Sequence, residues 1–98
     1  MKYIKLSFAI VLFFFTSIFA SAQVKTGIEV LRERNFDILQ GKRVGLCTNP
    51  TGVDHNLVST IDILWEAENV NLVALYGPEH GVRGNIYAGD HVDNEVDP

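Results

Sequence analysis

The chain has 98 residues, a formal net charge of −4, and a hydrophobic content of 47% that its first 22 positions raise. Residues 23–98 retain six Lys and Arg against twelve Asp and Glu, and this acidic balance argues against a nucleic acid as partner. Cys47 is the only cysteine, so the chain forms no internal disulfide. Its position in an apolar run predicts a small buried side chain.

The first 22 residues have the pattern of a secretory signal peptide. Two lysines precede an uncharged apolar core over residues 6–19, and small residues follow at positions 20–22. The apolar core is shorter than the roughly 20 residues that span a bilayer. We therefore predict cleavage between Ala22 and Gln23, export to the periplasm or medium, and no stable membrane anchor afterwards.

The mature chain begins with a predicted helix. Thr26 with Glu29 three residues later forms the Thr-x-x-Glu pattern of a capping box. Apolar residues at near-helical spacing continue to a break near Asn35, and Gly41 ends the region. The apolar run over residues 44–48 then predicts a first buried parallel strand.

A second helix and a second strand follow. Ser59 is a suitable N-cap, and the helix is predicted to run to about Ala67. Its predicted inner face consists of Ile61, Leu64 and Trp65. Residues 70–76 form a second apolar run with the length and residue types of a strand.

Strand, helix and strand in this order predict an α/β fold, namely a Rossmann-like parallel βαβ unit that begins a doubly wound domain. The chain supplies only two convincing strands, so we expect residues 23–98 to be the N-terminal part of a domain that continues beyond this chain. Polar loops at residues 48–52 and 77–84 follow the two strands, and the carboxyl ends of parallel strands are where open α/β sheets bind ligands. A purely structural turn explains residues 48–52 equally well. The acidic tail, residues 85–98, is predicted to be mostly solvated.

The loop at residues 77–84, Gly-Pro-Glu-His-Gly-Val-Arg-Gly, contains the best candidates for chemistry. It places Glu79, His80 and Arg83 among three glycines, which allow the backbone to approach a ligand closely. Glu79 suits a general acid or base for hydrolysis of a glycosidic or ester-like bond. Arg83 could hold an anionic substrate group in a bidentate pair.

Other interpretations compete with hydrolysis. Glu79 and His80 could form a metal site with Asp90 and His91, although their spacing matches no recognised ligand pattern. Dinucleotide binding is disfavoured because no Gly-x-Gly-x-x-Gly follows the first strand. The plainest alternative is that Glu79 and Arg83 pair to hold the loop, and that the histidines, with His55 in its turn, lie at the surface.

Four segments resemble the NamZ-type exo-β-N-acetylmuramidases, formerly a family of unknown function. They are Gly-Lys-Arg-Val-Gly-Leu at 41–46, Thr-Asn-Pro-Thr-Gly at 48–52, Ser-Thr-Ile-Asp at 59–62, and the loop at 77–84. The resemblance covers essentially all of residues 27–98. It implies a Rossmann-like domain followed by a second domain, with the active site in the cleft between them.

The resemblance also implies a function. A protein of this family releases N-acetylmuramic acid from the non-reducing ends of peptidoglycan fragments and is expected to need no cofactor. Glu79 would be the general acid with His80 beside it as a catalytic residue, and Asn49, Thr51 and Arg83 would bind the substrate. Arg83 would suit the lactyl carboxylate of muramic acid. Retaining, inverting and substrate-assisted mechanisms all stay open.

Two other functional classes also stay open, a non-catalytic domain that binds cell-wall sugars and a metal-dependent hydrolase. The 98-residue chain is expected to be inactive alone, because the family's second domain would supply the other side of the cleft.

Overall fold

The computed structural model describes residues 1–18 and 23–98, with no side-chain description for residues 16–18. The chain forms helix α1 (Lys2–Ile18), helix α2 (Gly27–Glu33), a 3-10 helix (Asp37–Leu39), strand β1 (Arg43–Cys47), helix α3 (Thr60–Glu66) and strand β2 (Asn71–Tyr76). The two strands pair in parallel, which confirms the predicted βαβ unit and the α/β class.

Helix α1 covers most of the predicted signal peptide. None of its described side chains joins the core cluster, and those of residues 1–15 are exposed. Among the helices of residues 1–18 and 23–98, none combines the length and apolar character required to cross a membrane. The small residues of the predicted cleavage site at 20–22 lie outside the described residues, so the signal peptide stays a prediction.

Local sequence signals set the ends of α2 and α3. The Glu29 carboxylate accepts hydrogen bonds from the Thr26 amide at 2.6 Å and the Thr26 hydroxyl at 2.8 Å. The predicted break is also present, since Asn35 and Phe36 adopt positive φ angles of 52° and 53°. Ser59 caps α3 by accepting a hydrogen bond from the Ile61 amide at 3.2 Å.

The core lies on one side of the two-stranded sheet. Its buried cluster consists of Phe36, Ile63 and Leu64, and Leu46 of β1 and Leu72 of β2 pack against it. The backbone of Phe36 is in the left-handed region, which bulky residues adopt rarely. Burial of its ring in the core provides the tertiary support for this conformation. The break after α2 therefore turns an aromatic side chain into the sheet's core.

Two predictions of burial were wrong. Trp65 is 73% exposed, because the buried arc of α3 comprises Ile61, Ile63 and Leu64 and leaves Trp65 at its rim. Cys47 is also exposed. It follows Leu46, which faces the core, and successive side chains of a strand point to opposite faces.

Candidate active site

The two polar loops that follow β1 and β2 meet at one edge of the sheet. A hydrogen bond from the Thr48 amide to the Tyr76 carbonyl, 2.9 Å long, extends the parallel pairing to the start of both loops. Farther out, Gly84 lies so close to Pro50 that a Cβ atom on Gly84 would be 2.6 Å from the Pro50 Cγ. The predicted convergence of residues 48–52 and 77–84 is therefore a direct contact.

The loop at residues 77–84 is a tightly folded turn. Gly81 and Gly84 both have φ angles of +74°, a backbone conformation that favours glycine, and the Gly84 amide donates to the Gly81 carbonyl at 3.3 Å. Gly77 packs against the backbone of Gly81 and Val82, where a Cβ atom would lie 2.6 Å from the Val82 nitrogen. Close contacts thus require a glycine at Gly77, the backbone angle favours one at Gly81, and both reasons apply at Gly84.

His80 is fixed to the segment that follows the loop. Its Nδ1 lies 3.0 Å from the Ile86 carbonyl oxygen, and the Ile86 amide donates to the His80 carbonyl at 3.2 Å. A carbonyl oxygen only accepts hydrogen bonds, so Nδ1 carries a proton in this contact. In the neutral imidazole the Nε2 atom is then an unprotonated acceptor.

Glu79 lies on the same turn as His80, between that residue and Pro78. Its side chain is exposed, and within the described residues its carboxylate accepts no hydrogen bond. The carboxylate is consequently accessible to a ligand at the sheet edge.

Asn49 and Thr51 form one unit in the loop after β1. The Asn49 Oδ1 accepts hydrogen bonds from the Thr51 amide at 3.1 Å and the Thr51 hydroxyl at 2.7 Å. Both residues are exposed. The Asn49 amide nitrogen, which has no protein partner within the described residues, can donate to a ligand.

Within the described residues, the Arg83 side chain forms no hydrogen bond or ion pair with Glu79 or with the loop after β1. Its Nε and Nη2 atoms donate to the two Asp97 oxygens at 3.0 and 2.7 Å, and its Nη1 and Nη2 atoms donate to Asp62 at 3.3 and 2.9 Å. The hydrogen bonds with Asp97, and then those with Asp62, raise the pKa of Arg83, and the same guanidinium lowers the pKa of Asp97. The proposed Glu79–Arg83 pair is therefore wrong.

The residues of the metal hypothesis do not come together. His80 binds the Ile86 carbonyl, while His91 contacts Asp93, with Nε2 and Oδ1 2.9 Å apart. In the part of the chain that the structure describes, no group of three or more His, Cys, Asp or Glu side chains is arranged to hold a metal ion.

A groove of about 780 Å³ lies beside the loop but does not include Glu79, His80, Asn49 or Thr51. Its walls are formed by β2, α3, the tail and part of the loop itself, including Trp65, Tyr76, Arg83, Val92 and Asp97. The tail is mostly exposed, as predicted, and among residues 85–98 only Ile86 and Asp97 are partly buried.

Sequence reasoning missed a second polar cluster, which joins α2 to the turn at residues 54–58. Glu29 contacts the His55 Nδ1, and Arg32 donates to the buried Asp54 at 2.8 Å. Hydrogen bonds from the Thr26 amide, the His55 ring and the Thr26 hydroxyl lower the pKa of Glu29 to about 2. The Thr-x-x-Glu spacing indicated the contact between Thr26 and Glu29. No short-range sequence pattern indicated the contact between Glu29 and His55, which are 26 residues apart.

These features define an α/β protein with two polar loops in contact at the edge formed by the carboxyl ends of its parallel strands. The family model described as "Exo-beta-N-acetylmuramidase NamZ, N-terminal" matches residues 44–98. The chain belongs to this family, as its sequence resemblance predicted.

Two relatives support this assignment. The chain is 51% identical over 75 residues to "Peptidoglycan beta-N-acetylmuramidase NamZ" of Bacillus subtilis (strain 168). This match covers 76% of this chain and 18% of the relative. A crystal structure of a DUF1343 family protein from Bacteroides fragilis NCTC 9343 is 77% identical, with a TM-score of 0.63, and the match covers 67% of this chain and 17% of that one. The chain spans less than a fifth of the length of either relative.

Proposed function

We propose that this chain forms one wall of the active site of an exo-acting glycoside hydrolase, which releases N-acetylmuramic acid from the non-reducing ends of peptidoglycan fragments. The observation that carries the proposal is the exposed Glu79–His80 turn of a NamZ-family domain. This turn belongs to a loop that contacts the polar loop after β1. The Bacillus subtilis relative is a peptidoglycan β-N-acetylmuramidase by name. The predicted signal peptide supports export to the periplasm or medium, where this substrate is found.

In this proposal Glu79 is the general acid. Breaking a glycosidic bond to another sugar requires protonation of the leaving oxygen, and an accessible carboxyl group on a rigid turn can supply that proton. His80 is oriented by the Ile86 carbonyl so that its Nε2 can accept a proton from a water or substrate hydroxyl. Asn49 and Thr51 offer neutral hydrogen-bonding groups for the sugar.

The general-acid role is tested by the substitution Glu79→Gln in a full-length family member that carries this segment. Two substrates should be compared, a muramic-acid disaccharide and a nitrophenyl β-muramide. The variant should lose about 10²- to 10⁴-fold in kcat/KM on the disaccharide, a typical contribution for general acid catalysis. The loss on the nitrophenyl substrate should be much smaller, because nitrophenolate departs without protonation.

Glu68→Gln is the matched control, since Glu68 is also an exposed carboxylate but lies just before β2. It should retain normal rates on both substrates. Near-normal cleavage of the disaccharide by a folded Glu79→Gln protein would refute the assignment. Binding of the disaccharide without cleavage by the unmodified full-length protein would instead favour the non-catalytic sugar-binding domain, and loss of activity on chelation would favour a metal-dependent hydrolase.

A further inference from the structure

The most heavily bonded side chain of the loop at residues 77–84 is Arg83, which joins three separate segments of the chain. It lies in the loop itself, Asp62 belongs to α3, and Asp97 belongs to the tail. Four hydrogen bonds of 2.7 to 3.3 Å connect the guanidinium to the two carboxylates. We propose that Arg83 is a positioning residue that fixes the Glu79–His80 turn to α3, rather than the binding residue for a substrate carboxylate.

The donor count supports this role. A guanidinium has five N–H groups arranged as a fork, and both of the faces that match a carboxylate bidentately are occupied here, one by Asp97 and one by Asp62. A substrate carboxylate would therefore have to displace one of the two aspartates. The single remaining N–H offers no bidentate site.

Charge points the same way. One guanidinium between two carboxylates has a net charge of −1, so the cluster as a whole does not attract a further anion. An isolated exposed ion pair contributes little to stability. A bidentate pair within a network of several charges contributes more. Asp97 is the least exposed member, with 21% of its side chain accessible.

The chain geometry explains how Arg83 reaches the catalytic turn. Arg83 is only four residues from Glu79, and the intervening backbone is compact because Gly77 packs against Gly81 and Val82. Anchoring Arg83 to Asp62 on a helix therefore restrains the turn against the βαβ unit. A catalytic group must be held in a defined position relative to the substrate. Misplacement by about 1 Å can lower the rate on the order of a hundredfold.

This inference rests on the proposed glycosidase function, and its test separates the two. Arg83→Ala, Asp62→Asn and the double variant should be made in a full-length family member that carries this segment. We expect each single variant to lower kcat by about tenfold or more while KM changes less than twofold. The double variant should match Arg83→Ala, because once the guanidinium is absent the change at Asp62 removes no further bond to it.

A second measurement uses the product, N-acetylmuramic acid, and its lactyl methyl ester as competing inhibitors. For a positioning residue, the ratio of their inhibition constants stays unchanged in Arg83→Ala. The proposal is overturned if that ratio collapses in Arg83→Ala while Asp62→Asn leaves kcat unaltered, since this is the behaviour of a carboxylate-binding arginine.

Amide hydrogen exchange of residues 77–84 provides a readout that needs no activity. Exchange should accelerate in both single variants, and unchanged exchange would overturn the inference. Glu33→Gln is the control, since it removes only the exposed Lys25–Glu33 pair. If the unmodified protein releases no N-acetylmuramic acid, the proposed function fails, while hydrogen exchange still decides whether Arg83 fixes the loop.

Discussion

Contact between Gly84 and Pro50 joins the two loops of the candidate active site, and the substitution Gly84→Ala tests its importance. The added methyl group meets two penalties. At φ +74° an L-residue occupies the left-handed region, which costs about 1–2 kcal/mol. Its Cβ would also lie 2.6 Å from the Pro50 Cγ, well inside ordinary contact distance, and overpacking of this kind costs about 1–3 kcal/mol.

Gly41→Ala separates these two penalties. Gly41 has nearly the same backbone angle, φ +72°, but among the described residues no atom beyond its two chain neighbours lies within 4 Å of the position of its added Cβ. It should therefore lose only the backbone term of about 1–2 kcal/mol, against about 2–5 kcal/mol for Gly84→Ala. Native-state hydrogen exchange of the β1 and β2 amides in the full-length protein reports these opening free energies.

Removing the clashing atom provides a rescue. In the double variant Pro50→Ala with Gly84→Ala, the Cγ is absent, so the two substitutions should be less destabilising together than their separate effects predict. Activity on the disaccharide should fall in Gly84→Ala and recover in part in the double variant. Equal losses in Gly84→Ala and Gly41→Ala, with no coupling to Pro50, would refute the argument that this contact positions the loops.

Two further predictions concern the frame around the site. The folded pKa of Glu29, about 2, lies below its ordinary value of 4.5, so its contribution to stability is present above about pH 4.5 and is lost as pH falls towards 2. Thermal unfolding between pH 2 and 7 should accordingly show a flatter profile for Glu29→Gln than for the unmodified protein, and parallel profiles would contradict this. Ser59→Ala removes the cap of α3 and should cost about 1 kcal/mol, measured by hydrogen exchange of α3, whereas no change would mean that the bond to the Ile61 amide is not stabilising.

Sequence predicted those parts of the fold that depend on local signals. The Thr26–Glu29 capping box, the break at Asn35 and the Ser59 cap each involve residues that are close in the chain, and each is present. Parallel pairing of β1 and β2 also followed, because two apolar strands connected by a helix have few other arrangements.

Burial was harder to predict, because it depends on what packs against each face. Trp65 has the spacing of an inner residue of α3, yet the helix is oriented with Ile63 buried and Trp65 exposed. Cys47 lies in an apolar strand, but its side chain is exposed. Apolar character alone therefore did not determine which residues form the core.

The candidate site was predicted in outline only. The βαβ topology predicted that the loops after β1 and β2 would meet, and the Gly84–Pro50 contact confirms this prediction. The partners of Arg83 could not be predicted, because Asp62 and Asp97 lie 21 and 14 residues away in the chain and no local spacing links them to it. Asp97 in particular had only the appearance of a solvated tail residue.

The structure separates three residues that the sequence presented as one cluster. His80 is bound to the Ile86 carbonyl and Arg83 to two aspartates, so both are anchored to other parts of the chain. Glu79 alone of the three has no protein partner within the described residues. A general acid must exchange its proton with the substrate, whereas the groups around it serve best when they hold the turn still. In the proposed mechanism Glu79 is therefore the group that reacts, and its two anchored neighbours hold the turn in place.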